Sequence, residues 1–168
     1  MIPSLETARL KLIPPEVNCF DMYERFYTDE DASKMYGGPI SKEQAWARLK
    51  ADLGSWHLLG FGIWVIQSKS DNRYIGTCGF WQGHEWPKEL TWWIIPSERG
   101  KGIATEASIA AVAHAHEVFQ WDIVETYMND ENVAARGLVE KLGGIKVRRQ
   151  TFNDGLSRDI YQLPNPSM

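Results

Sequence analysis

A glycine-rich turn separates an apolar run from an alanine-rich segment, and its composition is typical of an anion-binding site. The turn consists of Arg99, Gly100, Lys101 and Gly102, and a helical pattern begins at Ile103. Such a turn leaves backbone N–H groups free at the positive end of the helix dipole, where phosphate groups bind. We expect the charges of Arg99 and Lys101 to add to this attraction. The residues that define a P-loop or a three-glycine dinucleotide motif do not occur here.

The titratable residues near this turn favour acid–base chemistry over metal binding. Glu89 begins the apolar run, and His84 and Glu85 precede it in a polar loop. Glu89 could accept a proton directly or through water, although a solvated charge at a strand end has the same sequence signature. His84 and Glu85 are the alternatives. His114 and His116 lie two apart on a predicted helix and face different directions, so we expect no metal site.

Aromatic residues are a second feature, since the chain has eight tryptophans in 168 residues. Several of them flank the polar loop and the apolar run, and Tyr36 precedes a glycine pair farther back in the chain. Together these side chains could wall a slot for an amine. Any single tryptophan is more often a core residue. The candidates for substrate binding are Tyr36, Trp81, Trp86 and Trp92.

The hydrophobic pattern around these candidates predicts alternating strands and helices. Apolar residues three and four apart indicate the helices, with a capping box at Ser41 and Gln44 and an N-cap at Asn132. The predicted strands are 9–13, 61–67, 74–80, 90–95, 123–128, 145–152 and 156–163, and the helices begin near 20, 41, 103 and 132. Strand 90–95 has no polar face, so we expect it at the centre of a sheet that is covered on both sides.

Length and composition limit the possible functions. The element order predicts one α/β (α+β) domain, residues 1–168, with a mixed sheet covered by helices. A net charge of −4 lacks the cationic field that nucleic-acid binding needs, and no apolar run is long enough to cross a membrane. Cys19 and Cys78 lie far apart behind a start that does not resemble a leader, so we expect a cytoplasmic protein.

Residues 89–107 resemble the acetyl-CoA signature of the GNAT superfamily of N-acetyltransferases. The R-x-x-G-x-A core of that signature is matched by Arg99, Gly102 and Ala104. The similarity extends over nearly the whole chain, because residues 6–10, 74–80 and 132–143 resemble, in the same order, segments of the branch that includes ribosomal-protein N-terminal (alanine/serine) acetyltransferases. The resemblance implies a mostly antiparallel central sheet flanked by about four helices.

The resemblance also implies a site for acetyl-CoA as co-substrate. Backbone amides of the turn would hold the pyrophosphate, and the end of the apolar strand would bind the pantetheine arm as a neighbouring strand does. Asn132 is either a helix cap alone or a cap that also touches the cofactor. The cofactor-binding candidates are Trp93, Ile94, Ile95, Arg99, Gly100, Lys101, Gly102, Ile103, Ala104, Thr105, Asn132 and Arg136.

The implied reaction is acetyl transfer to a primary amine by direct attack in a ternary complex. The amine belongs to a protein N terminus or a small molecule. We expect a backbone N–H near Ile94 or Ile95 to polarise the thioester, and Glu89, or alternatively His84, to accept the proton of the amine. In many relatives a tyrosine protonates the leaving thiolate, and this chain has Val139 at that position. The alternative function is therefore a non-catalytic acyl-CoA-binding or sensing module; a homodimer is possible.

Overall fold

The first half of the chain forms a five-stranded antiparallel sheet in a computed structural model, which describes all 168 residues. Alternating or wholly apolar runs supply the strands, and hairpin loops join β3 to β4 and β4 to β5. The strands are β1 (Leu5–Glu6), β2 (Leu10–Ile13), β3 (Ile63–Ser68), β4 (Tyr74–Trp81) and β5 (Glu89–Ile94), in that spatial order.

Five helices accompany the strands: α1 (Phe20–Thr28), α2 (Glu30–Ser33), α3 (Lys42–Leu59), α4 (Ile103–Glu117) and α5 (Val133–Lys141). The predicted capping box of Ser41 and Gln44 is confirmed at the start of α3. The sequence pattern missed α2, because a helix of four residues is too short to show a 3.6-residue period. The side chain of Asp29 caps α2 by accepting a hydrogen bond from the N–H of Ala32. No helix combines the length and apolar composition needed to span a membrane.

Three strands near the C-terminus form a second antiparallel sheet beside the first. Its strands are β6 (Glu125–Tyr127), β7 (Ile145–Thr151) and β8 (Ser157–Gln162), in the order β6-β8-β7. No ladder joins β5 to β6, so β5 is the last hydrogen-bonded strand of its sheet and not a central strand as expected. The predicted α/β fold class is confirmed, and every strand pair within both sheets is antiparallel.

Strand β5 nevertheless has both faces covered, as its apolar sequence predicted. Trp92 and Ile94 belong to one core cluster with the alanines of α4, while Trp93 belongs to another with the aromatic residues of α1. Ala107, Ala111 and Ala115 are fully buried. Because this stripe of small side chains faces the sheet, α4 can approach β5 closely and bring its N-terminus to the end of that strand.

Candidate active site

The glycine turn has the conformation that an anion-binding loop needs. Gly100 and Gly102 adopt φ values of 78° and 75°, in the left-handed region that favours glycine. Six consecutive backbone N–H groups, from Gly100 to Thr105, donate to no backbone acceptor in the chain. Because they lie where α4 begins, the helix dipole adds a positive potential at the same place. The turn can therefore bind phosphate through its main chain.

The side chains of Arg99 and Lys101 do not supply the free charges that the sequence suggested. Arg99 donates from Nε to the carbonyl oxygen of Ile94 and from Nη2 to that of Ala32, both at 3.0 Å. Lys101 donates to the carboxylate of Glu98 at 2.9 Å. Arg99 thus satisfies carbonyl groups left without partners at the end of β5 and α2. The groups of this turn that stay free to bind an anion are therefore its backbone N–H groups.

Arg9 joins the turn to the first turn of α4 through hydrogen bonds, a role that the sequence analysis missed. Its Nη1 donates to the carbonyl oxygen of Lys101 at 2.9 Å, and its Nε donates to Glu106 in the first turn of α4 at 2.7 Å. Residue spacing offered no signal, because the contact joins residues more than 90 positions apart.

The gap between β5 and β6 exposes backbone groups of β5. The N–H of Ile95 donates to the carbonyl oxygen of Ile75 in β4 at 3.0 Å. Backbone groups alternate in direction along an antiparallel edge, so those of Trp93 also face β4, and those of Trp92 and Ile94 face the gap. Ile95 and Trp93 were therefore wrong as backbone donors to a ligand in the gap, because their N–H groups are used within the sheet.

Two other groups already occupy carbonyl oxygens along this edge. Thr126 donates from Oγ1 to the oxygen of Leu90 at 2.8 Å, and Arg99 holds that of Ile94. The backbone N–H and C=O of Trp92 and the N–H of Ile94 remain without a backbone partner. These groups can pair with the amides of an extended ligand arm, or polarise a carbonyl group placed in the gap.

A cavity of about 560 Å³ opens beside the gap and contains most of the predicted acceptor site. Tyr36, Trp81, Trp86 and Trp92 all line it. The rings of Trp81 and Trp86 meet edge to face with centroids 5.8 Å apart, and the guanidinium of Arg158 lies 5.3 Å from the Trp86 ring. The aromatic wall predicted from the sequence therefore exists, although Trp92 is also part of the core.

Glu89 lies in the wall of the same cavity. Burial raises the pKa of its carboxyl group well above the ordinary value of 4.5, while Arg158 and the backbone N–H of Tyr127 act in the opposite direction. A carboxyl group with a raised pKa can accept a proton at a pH nearer neutrality than an exposed glutamate can. By contrast, the side chain of His84 is 95% exposed and lies outside the cavity. The geometry places Glu89 at the site and His84 away from it.

Helix α5 borders the cavity through its first residues. Asn132 caps the helix by accepting a hydrogen bond from the N–H of Ala135 at 3.2 Å, and it also lines the cavity. Arg136 donates to the carbonyl oxygen of Asp130 at 3.1 Å, which holds its guanidinium near the helix start. Val139 is fully buried in the core. This helix therefore offers a polar amide to the cavity but no acidic side chain at Val139.

Four charged residues of the cavity were missed by the sequence reasoning: Asp154 and Arg158 near the C-terminus, and Arg48 and Asp52 of α3. Burial raises the pKa of Asp52 to about 7, opposed by a hydrogen bond from the hydroxyl of Tyr23 and by the charge of Arg48. The Tyr23 hydroxyl donates at 2.6 Å. Arg48 and Asp52 lie four residues apart on α3, a spacing typical of an ion pair on the solvent-exposed face of a helix. The sequence therefore gave no reason to place them in a cavity.

Comparison with known proteins agrees with the geometry. The family model of the acetyltransferase (GNAT) domain matches residues 9–145. An acetyltransferase from Agrobacterium tumefaciens strain C58 superposes with a TM-score of 0.89 and 28% identity, over 98% of this chain and 95% of that one. Ribosomal L7/L12 alpha-N-protein acetyltransferase RimL, in complex with coenzyme A, superposes with a TM-score of 0.79 and 12% identity, over 97% and 99% of the two chains.

A third structure is also that of a ribosomal-protein acetyltransferase. The ribosomal-protein-S5-alanine acetyltransferase from Vibrio fischeri superposes with a TM-score of 0.72 and 14% identity, over 98% of each chain. Similarity at this level shows a shared fold. The match of the family model over most of the chain goes further, and it shows that the chain belongs to the GNAT family of acetyltransferases.

Proposed function

We propose that this acyltransferase is an acetyl-CoA-dependent N-acetyltransferase that moves an acetyl group to a primary amine by direct attack in a ternary complex. One observation carries the proposal. A turn with six free N–H groups, a strand edge with unpaired backbone groups and a cavity lined by the half-buried Glu89 follow one another along β5 and α4. This arrangement fits an anionic head, an amide-containing arm and a reacting end.

The residues of the chain fit acetyl-CoA, which would supply the activated acetyl group as a thioester. The N–H groups from Gly100 to Thr105 hold the diphosphate, with Arg9 and Arg99 fixing the turn. Trp92 and Ile94 pair with the pantetheine amides from the edge of β5, and Asn132 adds its side-chain amide. Binding by main-chain donors explains why the turn needs two glycines in the left-handed region.

Glu89 accepts the proton of the attacking amine, directly or through one water. An amine with a pKa near ~10 is mostly protonated at neutral pH, so a base in the cavity increases the reactive fraction. The N–H of Trp92 or Ile94 stabilises the negative charge that develops on the carbonyl oxygen. Val139 has no proton to give to the leaving thiolate, so that proton comes from water or from another group in the cavity.

Incubation of the protein with acetyl-CoA and a panel of small amines and N-terminal peptides tests this function. We expect free thiol to appear only when both acetyl-CoA and an accepted amine are present. Binding of CoA without turnover of any amine would favour the alternative, a non-catalytic acyl-CoA-binding module. The absence of both heat and thermal shift on titration with CoA would overturn both functions.

We place this reaction in the cytoplasm, because Cys19 and Cys78 are free, buried thiols. The acceptor is either a protein N terminus or a small molecule.

A further inference from the structure

The cavity contains one guanidinium group that has no carboxylate partner. Two arginines line the cavity, and Arg158 is bound to Asp154 and to Asn129. Arg48 takes part in none of the ion pairs of the chain. Its guanidinium carbon lies 5.1 Å from the centroid of the Tyr27 ring. Arg48 therefore has no carboxylate within ion-pair distance at the wall of the cavity.

Asp52 lies one helical turn from Arg48 but does not neutralise it. Its carboxyl group accepts the hydroxyl of Tyr23 at 2.6 Å and lies beyond ion-pair distance from the guanidinium. Burial raises the pKa of Asp52 to about 7, so near neutral pH the group is charged only part of the time. A partly enclosed guanidinium without a full counter-charge favours the binding of an anion.

Arg48 lies near the face of β5 to which the side chains of Glu89 and Trp93 point; we call this face the acceptor side. The ring of Tyr27, against which Arg48 packs, accepts a hydrogen bond at its hydroxyl from Nε1 of Trp93 at 3.0 Å. Glu89 lies four residues from Trp93 on the same strand, and side chains at this even spacing point to the same face. Arg48 and Glu89 therefore serve one face of β5, at different positions along it.

Polar side chains such as Asn129 and Asn132 also line the cavity, but one part of its wall is apolar. Trp81, Trp86 and Leu156 line it, and the only guanidinium there, that of Arg158, is already paired. An acceptor in this cavity thus meets three kinds of surface: a free cation at Arg48, a proton acceptor at Glu89, and an aromatic wall.

We propose that the acceptor is an amine that also carries an anionic group, which pairs with Arg48, and an apolar body, which packs against Trp81 and Trp86. This inference rests on the proposed acetyltransferase function and names the substrate class of the same site. A carboxylate or a phosphonate satisfies the same chemistry. A free amino acid with an apolar side chain is the simplest compound that has all three parts.

Matched pairs of acceptors test the proposal with acetyl-CoA and a thiol-release assay. Phenylalanine is compared with phenethylamine, and leucine with isopentylamine; 1-amino-2-phenylethylphosphonate and a short peptide with an acidic second residue distinguish the sources of the anion. For at least one of these anionic compounds we expect kcat/KM to exceed that of the partner that lacks the anionic group by about tenfold or more, the size of one charge-assisted hydrogen bond. Arg48→Met removes this preference, and Arg48→Lys retains part of it.

The matched control is Arg25→Met, because Arg25 lies on α1 with its side chain 80% exposed and outside the cavity. This variant keeps the preference. Equal rates for partners with and without the anionic group, or a preference that Arg48→Met leaves intact, would overturn the proposal. Thermal unfolding in the presence of CoA provides a second measurement. A rise in Tm with an anionic compound and not with its partner, lost in Arg48→Met, supports the anion subsite even without turnover.

Failure of the two proposals can be told apart. If amines without an acid group release thiol and an added acid group has no effect on the rate, only the proposed role of Arg48 is excluded. If the protein binds no CoA, the proposed acetyltransferase function is wrong. The thermal shift measured with the acceptor pairs in the absence of CoA then still shows whether Arg48 binds an anion. If Arg48→Met does not fold, as judged by its thermal transition, Arg48→Lys and Arg48→Gln take its place.

Discussion

The hydroxyl of Thr126 donates a hydrogen bond to the carbonyl oxygen of Leu90 at 2.8 Å, and both residues are completely buried. This contact bridges β5 and β6 where no ladder joins them. A side chain takes the place of a backbone donor, so the strands stay together at Leu90 while the edge of β5 remains open at Trp92 and Ile94. Thr126 therefore helps to hold β6 beside the candidate acetyl-CoA site, together with Tyr127, whose hydroxyl donates to the carbonyl oxygen of Pro87.

Replacement of Thr126 by valine tests this role. Valine has nearly the same shape and leaves the oxygen of Leu90 buried without its donor, which costs about 1–3 kcal/mol. We expect a lower free energy of unfolding in urea and a higher KM for acetyl-CoA. The control is Thr28→Val, since Thr28 bonds to the carbonyl oxygen of Glu24 at the exposed end of α1. Equal losses in the two variants would show that the bridge has no special role.

A carboxylate at Gly102 should abolish CoA binding. Gly102→Glu places a negative charge at the start of α4, against the phosphates, and it forces a side chain onto a φ of 75°. Gly60→Glu introduces the same residue at a φ of 82°, at the end of α3 and outside the cavity, so it controls for backbone strain. We expect titration calorimetry to detect CoA binding to the control only. Unchanged affinity in Gly102→Glu would mean that the diphosphate binds elsewhere.

The sequence predicted the features that depend on local chemistry. The turn at Gly100 and Gly102, the cap at Asn132 and the apolar strand from Leu90 are each written in consecutive residues, and the structure has them. These features determine where α4 begins and which end of β5 it meets.

Two features depend on tertiary contacts that residue spacing in the sequence does not reveal. One is which backbone groups of β5 face the gap, and the other is which charged side chains line the cavity. Ile95 cannot donate its N–H to a ligand, because that group donates to the carbonyl oxygen of Ile75, twenty residues away. Arg99 does not offer a free charge, because its guanidinium donates to the carbonyl oxygen of Ala32. Arg48 was invisible for a similar reason, since only the packing of α3 against the sheet brings it to the cavity. A register shift of one residue would reverse the first of these outcomes.

Glu89→Gln tests the proposed base through its pH profile. With the pKa of Glu89 raised, the wild-type carboxyl group is protonated and inactive as a base at low pH, and it gains activity as the pH rises through that pKa. We expect the ratio of wild-type to variant kcat/KM to rise over that interval, to about 100-fold or more, and to fall again where the amine loses its own proton. A constant ratio would transfer the role to solvent or to His84, which His84→Ala then tests.

Asp52→Asn should make the protein more stable above neutral pH. The pKa of Asp52 rises from 3.8 in the unfolded chain to about 7 in the fold, so the native state binds more protons than the unfolded state between these values. Stability therefore falls as the pH rises through this interval, and the loss is complete above pH 7. Asparagine does not titrate, and its side-chain oxygen still accepts the Tyr23 hydroxyl.

The measurement is Tm for wild type and variant between pH 4 and pH 9. We expect the curves to diverge as the pH approaches 7, with the Asp52→Asn variant the more stable above it, because only the wild type must then bury a carboxylate. Asp21→Asn serves as the control, since the side chain of Asp21 is 74% exposed. Parallel curves would show that Asp52 ionises as easily in the fold as in water, and its charge would then compensate Arg48 at neutral pH. The same experiment thus decides how much positive charge the acceptor side of the cavity keeps.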